Sequence, residues 1–332
     1  MTSTATVTRP PVRSGGSLAG LLPAVSSAAA FGLSGSLARS LLDIGWSPAA
    51  VVAVRLGGAF AVLLIPTLLL LRRTGLPSGR QATRMLAYGV VAVAAAQLCY
   101  FSAVQYLSIG VALLLEFQAP VLLIGWHWAR SRRRPAAGVV AGAALALAGL
   151  VLVLDLTDGL TLNPIGVVWG LGAALCLCAY FILSEGDGQA QPVHPLLLTS
   201  VGTGVGATLI IGLGLAGVLP LSASPGRTVV AGQTISWLLP VALLILVSAV
   251  FSYLTGIIAV RRLGSSIASF VALSEVIFAV IFAALLLSQQ PTLQQLIGGG
   301  LILAGIAVVQ RGGARPMRAA QGRPKSVTSQ TL

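Results

Sequence analysis

The stretch PAAVVAVRLGGAFAVLLIPTLLLL, residues 48–71, decides the class of this chain: twenty-four residues in which Arg55 is the one charge. A helix of that length rises about 36 Å, enough to cross a hydrocarbon core of roughly 30 Å. The pattern recurs at 18–41, 86–106, 109–129, 136–154, 164–184, 196–219, 236–259, 264–287 and 293–311. The chain therefore reads as an all-α integral membrane protein with ten transmembrane helices. Of its 332 residues, 56% are hydrophobic and 8% charged, too few charges to solvate a soluble protein of this size.

The charges that remain are sorted by loop. Seventeen of the twenty Lys and Arg fall in alternate connections and in the two tails, while Arg39 and Arg55 lie within spans and Arg227 on the other side. The positive-inside bias places both termini in the cytoplasm and demands an even number of crossings. Connection 185–195 dissents, with Glu185 and Asp187 and no Lys or Arg, but acidic residues weigh little in this rule. A net charge of +13 would suggest nucleic acid in a soluble protein; placed beside spans it is a topology signal, and no nucleic-acid partner is expected. Lys325 is the single lysine, which points to a GC-rich bacterial genome. Arg9, Arg13 and Ala28-Ala29-Ala30 resemble a secretory signal peptide. The apolar run continues past them through Leu33, Leu37 and Leu41, so an uncleaved first span is expected.

The chain is also duplicated. Tyr106-Leu107-Ser108-Ile109-Gly110 leads into span four, and Arg262-Leu263-Gly264-Ser265-Ser266-Ile267 into span nine; each span then carries an embedded glutamate, Glu116 or Glu275. Span five opens Gly138-Val139-Val140-Ala141-Gly142, and span ten answers with Gly298-Gly299-Gly300-Leu301-Ile302-Leu303-Ala304-Gly305-Ile306. This divides the chain into a disordered tail 1–17, a repeat 18–154, a connection 155–163, a second repeat 164–311 and a basic tail 312–332. Five spans is an odd number, so the two repeats insert oppositely. Inverted repeats place a substrate site near the midplane between them.

On these residues the chain resembles the EamA type of the drug/metabolite transporter superfamily. The most specific stretches are Leu113-Leu114-Leu115-Glu116-Phe117-Gln118-Ala119-Pro120-Val121 and Ala272-Leu273-Ser274-Glu275-Val276-Ile277-Phe278-Ala279. The resemblance implies a ten-span inner-membrane carrier, of a kind that often exports amino acids, nucleobases or other small metabolites. The family often has Gly-Glu after spans four and nine. Here those places read Trp126-His127-Trp128-Ala129-Arg130 and Leu287-Ser288-Gln289-Gln290-Pro291, so no role passes over from that glutamate.

Ionisable residues inside hydrocarbon cost at least about 2.5–3.5 kcal/mol each, which makes function the default reading. Arg39 is near a span end and reads as an interfacial anchor. Arg55 and Glu116 lie at similar depth from the same side, so they could meet either as a structural ion pair or as a substrate-facing pair. Glu275 lies near the midplane, about 16 Å deep, as a site for a proton or a cationic substrate. Gln97, Phe101 and Gln105 share one face of span three, with Tyr100 beside them. Span eight offers Ser248, Ser252, Tyr253 and Thr255. The substrate-binding or ion-coupling set is therefore Arg55, Gln97, Tyr100, Gln105, Glu116 and Glu275. Pro120, four residues after Glu116, is a candidate hinge. Gly138, Gly142, Gly202, Gly204 and Gly206 read as packing surfaces.

His127 and His194 lie in separate segments, with no nucleophile set around them. Cys176 and Cys178 point about 200° apart on a helix, and no phosphate loop is present. No enzyme, cofactor or metal is expected. The reading is a secondary carrier exporting a small polar metabolite by proton exchange, with the lipid bilayer as its setting and a homodimer left open. The alternatives are a multidrug or cationic-compound exporter and a non-transporting scaffold.

Overall fold

The structure is a computed structural model that describes residues 18–104, 106–107, 109–132, 134–153, 163–185, 193–288 and 290–321. Both tails as far as residues 17 and 322, most of connection 155–163, and Gln105 lie outside the described residues.

Ten helices follow one another. They are α1 (Leu18–Leu42), α2 (Pro48–Thr74), α3 (Gly79–Ala87, Tyr88–Ala95 and Ala96–Val104 in sequence), α4 (Ile109–Glu116 and Ala119–Ser131) and α5 (Ala137–Val153). The second five are α6 (Pro164–Glu185), α7 (Pro195–Leu215), α8 (Leu238–Ile245, Leu246–Phe251 and Ser252–Leu263), α9 (Ser265–Ala272 and Ser274–Leu287) and α10 (Leu293–Gln321). Among the described residues, nine of these are long and apolar enough to cross a membrane and α5 is a shorter apolar helix. Leucine, isoleucine and valine side chains such as Ile65, Leu69, Val168 and Leu175 stand exposed on the outer faces, as lipid-facing helices require.

Helix ends differ from the hydropathy reading where local chemistry overrides it. α3 begins at Gly79, seven residues before the apolar run at 86, because Ser78 and Gln81 form a capping box: Gln81 N–H donates to Ser78 Oγ, and Ser78 N–H to Gln81 Oε1. α7 stops at Leu215 and not at 219, followed by Gly217 at φ 76. α2 starts as the sequence suggests, with Ser47 Oγ accepting from Ala50 N–H at 3.2 Å and Pro48 in the first turn.

The two repeats exchange partners. α1 packs on α8 and α9 of the second repeat, and α6 in turn packs on α3 and α4 of the first; α2 packs on α7, while α1 and α2 barely touch. The tightest pair is α5 with α10. A Cβ on Gly149 would come within 2.5 Å of the Gly298 carbonyl oxygen, and one on Gly305 within 2.6 Å of the Ala146 nitrogen. Backbone lies directly on backbone there, which is how helices associate without a hydrophobic driving force. The expected packing faces at Gly142 and Gly202-Gly204-Gly206 do pack: they meet Val309 and Gly305, and Tyr88, Phe60 and Val93.

The duplication extends to irregularities. α3 and α8 each contain a wider π-helical stretch, Tyr88–Ala95 and Leu246–Phe251, and α4 and α9 each break mid-span. The α4 break falls at Phe117-Gln118. Pro120 has no N–H to give the Glu116 carbonyl, so the ladder fails one turn earlier. The α9 break at Leu273 has no proline. There Ser274 Oγ donates to the Val271 carbonyl at 2.6 Å, competing with the backbone ladder.

One connection breaks the likeness between halves. α2 reaches α3 through residues 75–78, but α7 reaches α8 through 216–237, which folds a two-stranded ribbon: β1 (Arg227–Val230) antiparallel to β2 (Gln233–Ser236), Val230 opposite Gln233. Ala231 and Gly232 turn it at φ 52 and 72, the positive pair that a two-residue hairpin needs. The ribbon and its flanks clamp one end of the bundle. Thr228 Oγ1 donates to the Ser40 carbonyl at 2.5 Å, Trp46 Nε1 to that of Ser224 at 2.8 Å, and Ala231 N–H to that of Leu286 at 2.7 Å.

Candidate functional site

A central cavity of about 530 Å³ runs between α1, α2, α3, α4, α6, α8 and α9. It extends from Arg39, Leu42 and Pro48 at the α1–α2 end to Tyr180, Gly256 and Val260 at its far end. Its width beside α1 comes from small residues: Ala24, Ser27, Ala28, Gly32 and Gly35 carry nothing long enough to fill it. A Cβ on Gly32 would come within 2.8 Å of the Glu275 carbonyl, so α1 and α9 touch at the level of the embedded glutamate.

Five of the six expected site residues line this one space: Arg55 from α2, Gln97 and Tyr100 from α3, Glu116 from α4 and Glu275 from α9. Gln105 lies outside the described residues. Each carboxyl sits beside a break, Glu116 as the last residue before one and Glu275 two residues after the other. A break leaves nearby carbonyls outside the helical ladder, so each acid is placed next to backbone acceptors as well as cavity space.

Arg55 and Glu116 share the cavity but do not pair. Among the described residues the one ion pair is Arg39 with Asp43, 2.9 Å apart on the exposed end of α1, where such a pair adds little. Arg55 instead donates from Nη2 to the Ser248 carbonyl at 2.8 Å, in the π-helical stretch of α8. Its guanidinium also lies 5.6 Å from the Phe31 ring centre, and its Nε is buried with no partner. A π-helical turn shifts carbonyls off the usual ladder, which is how one becomes available to a side chain. Arg55 is thus held by a neutral acceptor and an aromatic face, and it keeps a free donor and its charge.

Sequence reading named Tyr100 and Tyr253 but missed the rest of the aromatic wall, Phe31, Tyr180 and Phe181. Phe31 and Tyr253 meet edge to face at 5.1 Å, and Tyr180 stands 5.2 Å from Phe181 and 6.2 Å from Tyr253. Phe31 is the one aromatic residue of α1, set among glycine, alanine and serine, and that isolation was the available signal. The expected polar stripe of span eight divides. Ser252 Oγ and Thr255 Oγ1 close on their own helix, at Ser248 and Phe251 carbonyls, while Tyr253 reaches the cavity. Ser27 Oγ donates to the Ser252 carbonyl at 2.8 Å and ties α1 to α8. Trp126 and Trp128 are about half exposed, as an interfacial belt would be.

Ten apolar helices in two repeats around a central cavity lined by ionisable groups define a multi-pass membrane transporter fold. The EamA-like transporter family matches residues 18–155 and 164–311, one repeat each, and the chain belongs to that family. It is 28% identical over 284 residues to an uncharacterized transporter of Archaeoglobus fulgidus, covering 84% of this chain and 93% of that one. A solved crystal structure superposes with a TM-score of 0.68 at 18% identity, over 89% of this chain and 98% of the other, a likeness of fold. The protein is a transporter of the drug/metabolite type, and not an enzyme.

Proposed function

We propose that this protein is a secondary active transporter that exports a small polar metabolite, such as an amino acid or a derivative of one, in exchange for protons across a bacterial inner membrane, with both termini cytoplasmic. The observation that carries the reading is the convergence of Arg55, Glu116 and Glu275 on one cavity. A cationic donor and two carboxyls suit a molecule that bears both a carboxylate and an ammonium group. Arg55 Nε is the free donor for the first, and either glutamate is an acceptor for the second or for a proton. Gln97 and Tyr100 supply neutral polar contacts on the same wall.

The aromatic wall favours a second reading. Phe31, Tyr180, Phe181 and Tyr253 beside two carboxyls would also suit a lipophilic cation, with Arg55 held back by Phe31 and the Ser248 carbonyl.

Proteoliposomes loaded with a pH-sensitive dye separate the two. Amino acids, nucleobases and organic cations are presented one at a time under an imposed proton gradient. The expected result is substrate-dependent proton movement with one or more amino acids, lost in Glu275→Gln and Glu116→Gln. Movement with organic cations alone selects the second reading. A Glu275→Gln protein whose transport kept its full dependence on the gradient would remove the proton role from that residue.

A further inference from the structure

Beyond the far end of the cavity lies a cluster of hydroxyls that transport through the cavity does not use. Tyr88, Tyr180, Ser184, Thr199 and Ser200 are each at most 7% exposed, and none of their hydroxyl oxygens has a hydrogen-bond partner. Thr67 and Ser248 also stand open elsewhere in the bundle. Other hydroxyls do not: Thr203, Thr208, Ser252 and Thr255 all close on a carbonyl one turn back in their own helix. Buried hydroxyls left open carry a desolvation cost, and the usual remedy is ordered water.

Four of them, Tyr88, Tyr180, Ser184 and Thr199, adjoin one another across three helices. Tyr180 lines the cavity, and its hydroxyl lies against α8, where a Cβ on Gly256 would meet it at 2.6 Å. The Tyr88 ring, on α3, is 5.8 Å from that of Tyr180. Ser184 is one turn further along α6, and its hydroxyl neighbours that of Tyr88 without closing a bond. Tyr88 also packs on α7, where a Cβ on Gly202 would meet its ring at 2.6 Å; Thr199 lies one turn before Gly202 on that face, whereas Ser200 lies with Gly204 and Ala207 on the face toward α2. The group of four ends at the α6–α7 end of the bundle. There Arg84 donates to the Leu183 carbonyl, and Arg261 to those of Ser184 and Val193.

We propose that Tyr88, Tyr180, Ser184 and Thr199 enclose a file of ordered water that continues the cavity from its far end to the α6–α7 end of the bundle. A buried water needs two to four polar partners, and the four open hydroxyls of Tyr88, Tyr180, Ser184 and Thr199 supply them. Such a file carries protons between the cavity carboxyls and the far face while remaining too narrow for a metabolite. The proton use rests on the exchange reading above; the water does not.

Radiolytic hydroxyl labelling of the purified full chain in ¹⁸O water, read by mass spectrometry, tests the water alone. Bound water delivers the radical to buried side chains beside it. Tyr88 is expected to label several-fold faster than Phe270, after correction for intrinsic reactivity, although both are buried to within 1% of completely. Equal rates would overturn the file. Ser184→Ala combined with Thr199→Val should slow the labelling of Tyr88; an unchanged rate overturns the enclosure described here. In proteoliposomes, Tyr88→Phe should slow proton movement several-fold. Undiminished movement in a protein whose Tyr88 labels rapidly overturns the proton use and leaves the water standing.

Discussion

Arg55 could be located by sequence but not understood from it. Its depth in span two placed it level with Glu116, and proximity to a carboxylate was the natural inference. The partner is instead the Ser248 carbonyl, which only the π-helical turn in α8 makes available, and no residue type in that stretch announces such a turn. A hydrogen bond from a charged donor contributes about 1.5–3 kcal/mol. Arg55→Met is therefore expected to lower the thermal midpoint of the detergent-purified protein by several degrees, and Arg55→Lys by less; an unchanged midpoint for Met would show the contact to be idle. His194 gives a pH-dependent case outside the spans. Its Nδ1 accepts the Leu196 N–H at 3.2 Å to cap α7, and partial burial, then the nearby Arg261, hold its pKa below the ordinary value of 6.5. The unfolded chain thus binds this proton more readily than the folded one. Stability from this group is present above the unfolded pKa and is lost as pH falls from there through the folded value. His194→Asn, which caps without titrating, should flatten that slope in melting curves taken below pH 7.

At the level of whole helices, ten spans and their repeat were legible because hydrocarbon imposes length and apolarity on each segment separately. Breaks were legible only where covalent chemistry causes them. Pro120 foretold the interruption at Phe117-Gln118, but the matching one at Leu273 depends on the Ser274 rotamer, which packing sets. The ribbon escaped notice since its strands, four residues each, are too short for an alternating pattern. Two substitutions examine the helices themselves. Pro120→Ala returns an N–H to the Glu116 carbonyl and should stabilise the fold by about 1 kcal/mol while slowing turnover in the dye assay. Faster turnover would mean that the break is no hinge. Gly149→Leu forces a side chain where a Cβ already comes within 2.5 Å of the Gly298 oxygen. Overpacking of this kind costs about 1–3 kcal/mol, so the variant should melt earlier than wild type; an equal midpoint would show that α5 and α10 can separate freely.

Taken as one object, the molecule is a duplicated bundle whose halves are completed by each other's first helix. Ten crossings return the chain to the face on which it began, so accessibility tags fused to the two ends should report the same side of the membrane. Opposite sides would cancel one span and, with it, the inverted relation of the repeats. Perfectly matched inverted twins would hold the two orientations of such a machine at equal energy. The ribbon between α7 and α8, fastened to Ser40, Trp46 and Leu286 at one pole and without a copy at the other among the described residues, lifts that degeneracy. An unloaded population is therefore expected to rest on one preferred side, which slows the step away from that side while the energy of a complete cycle is unchanged.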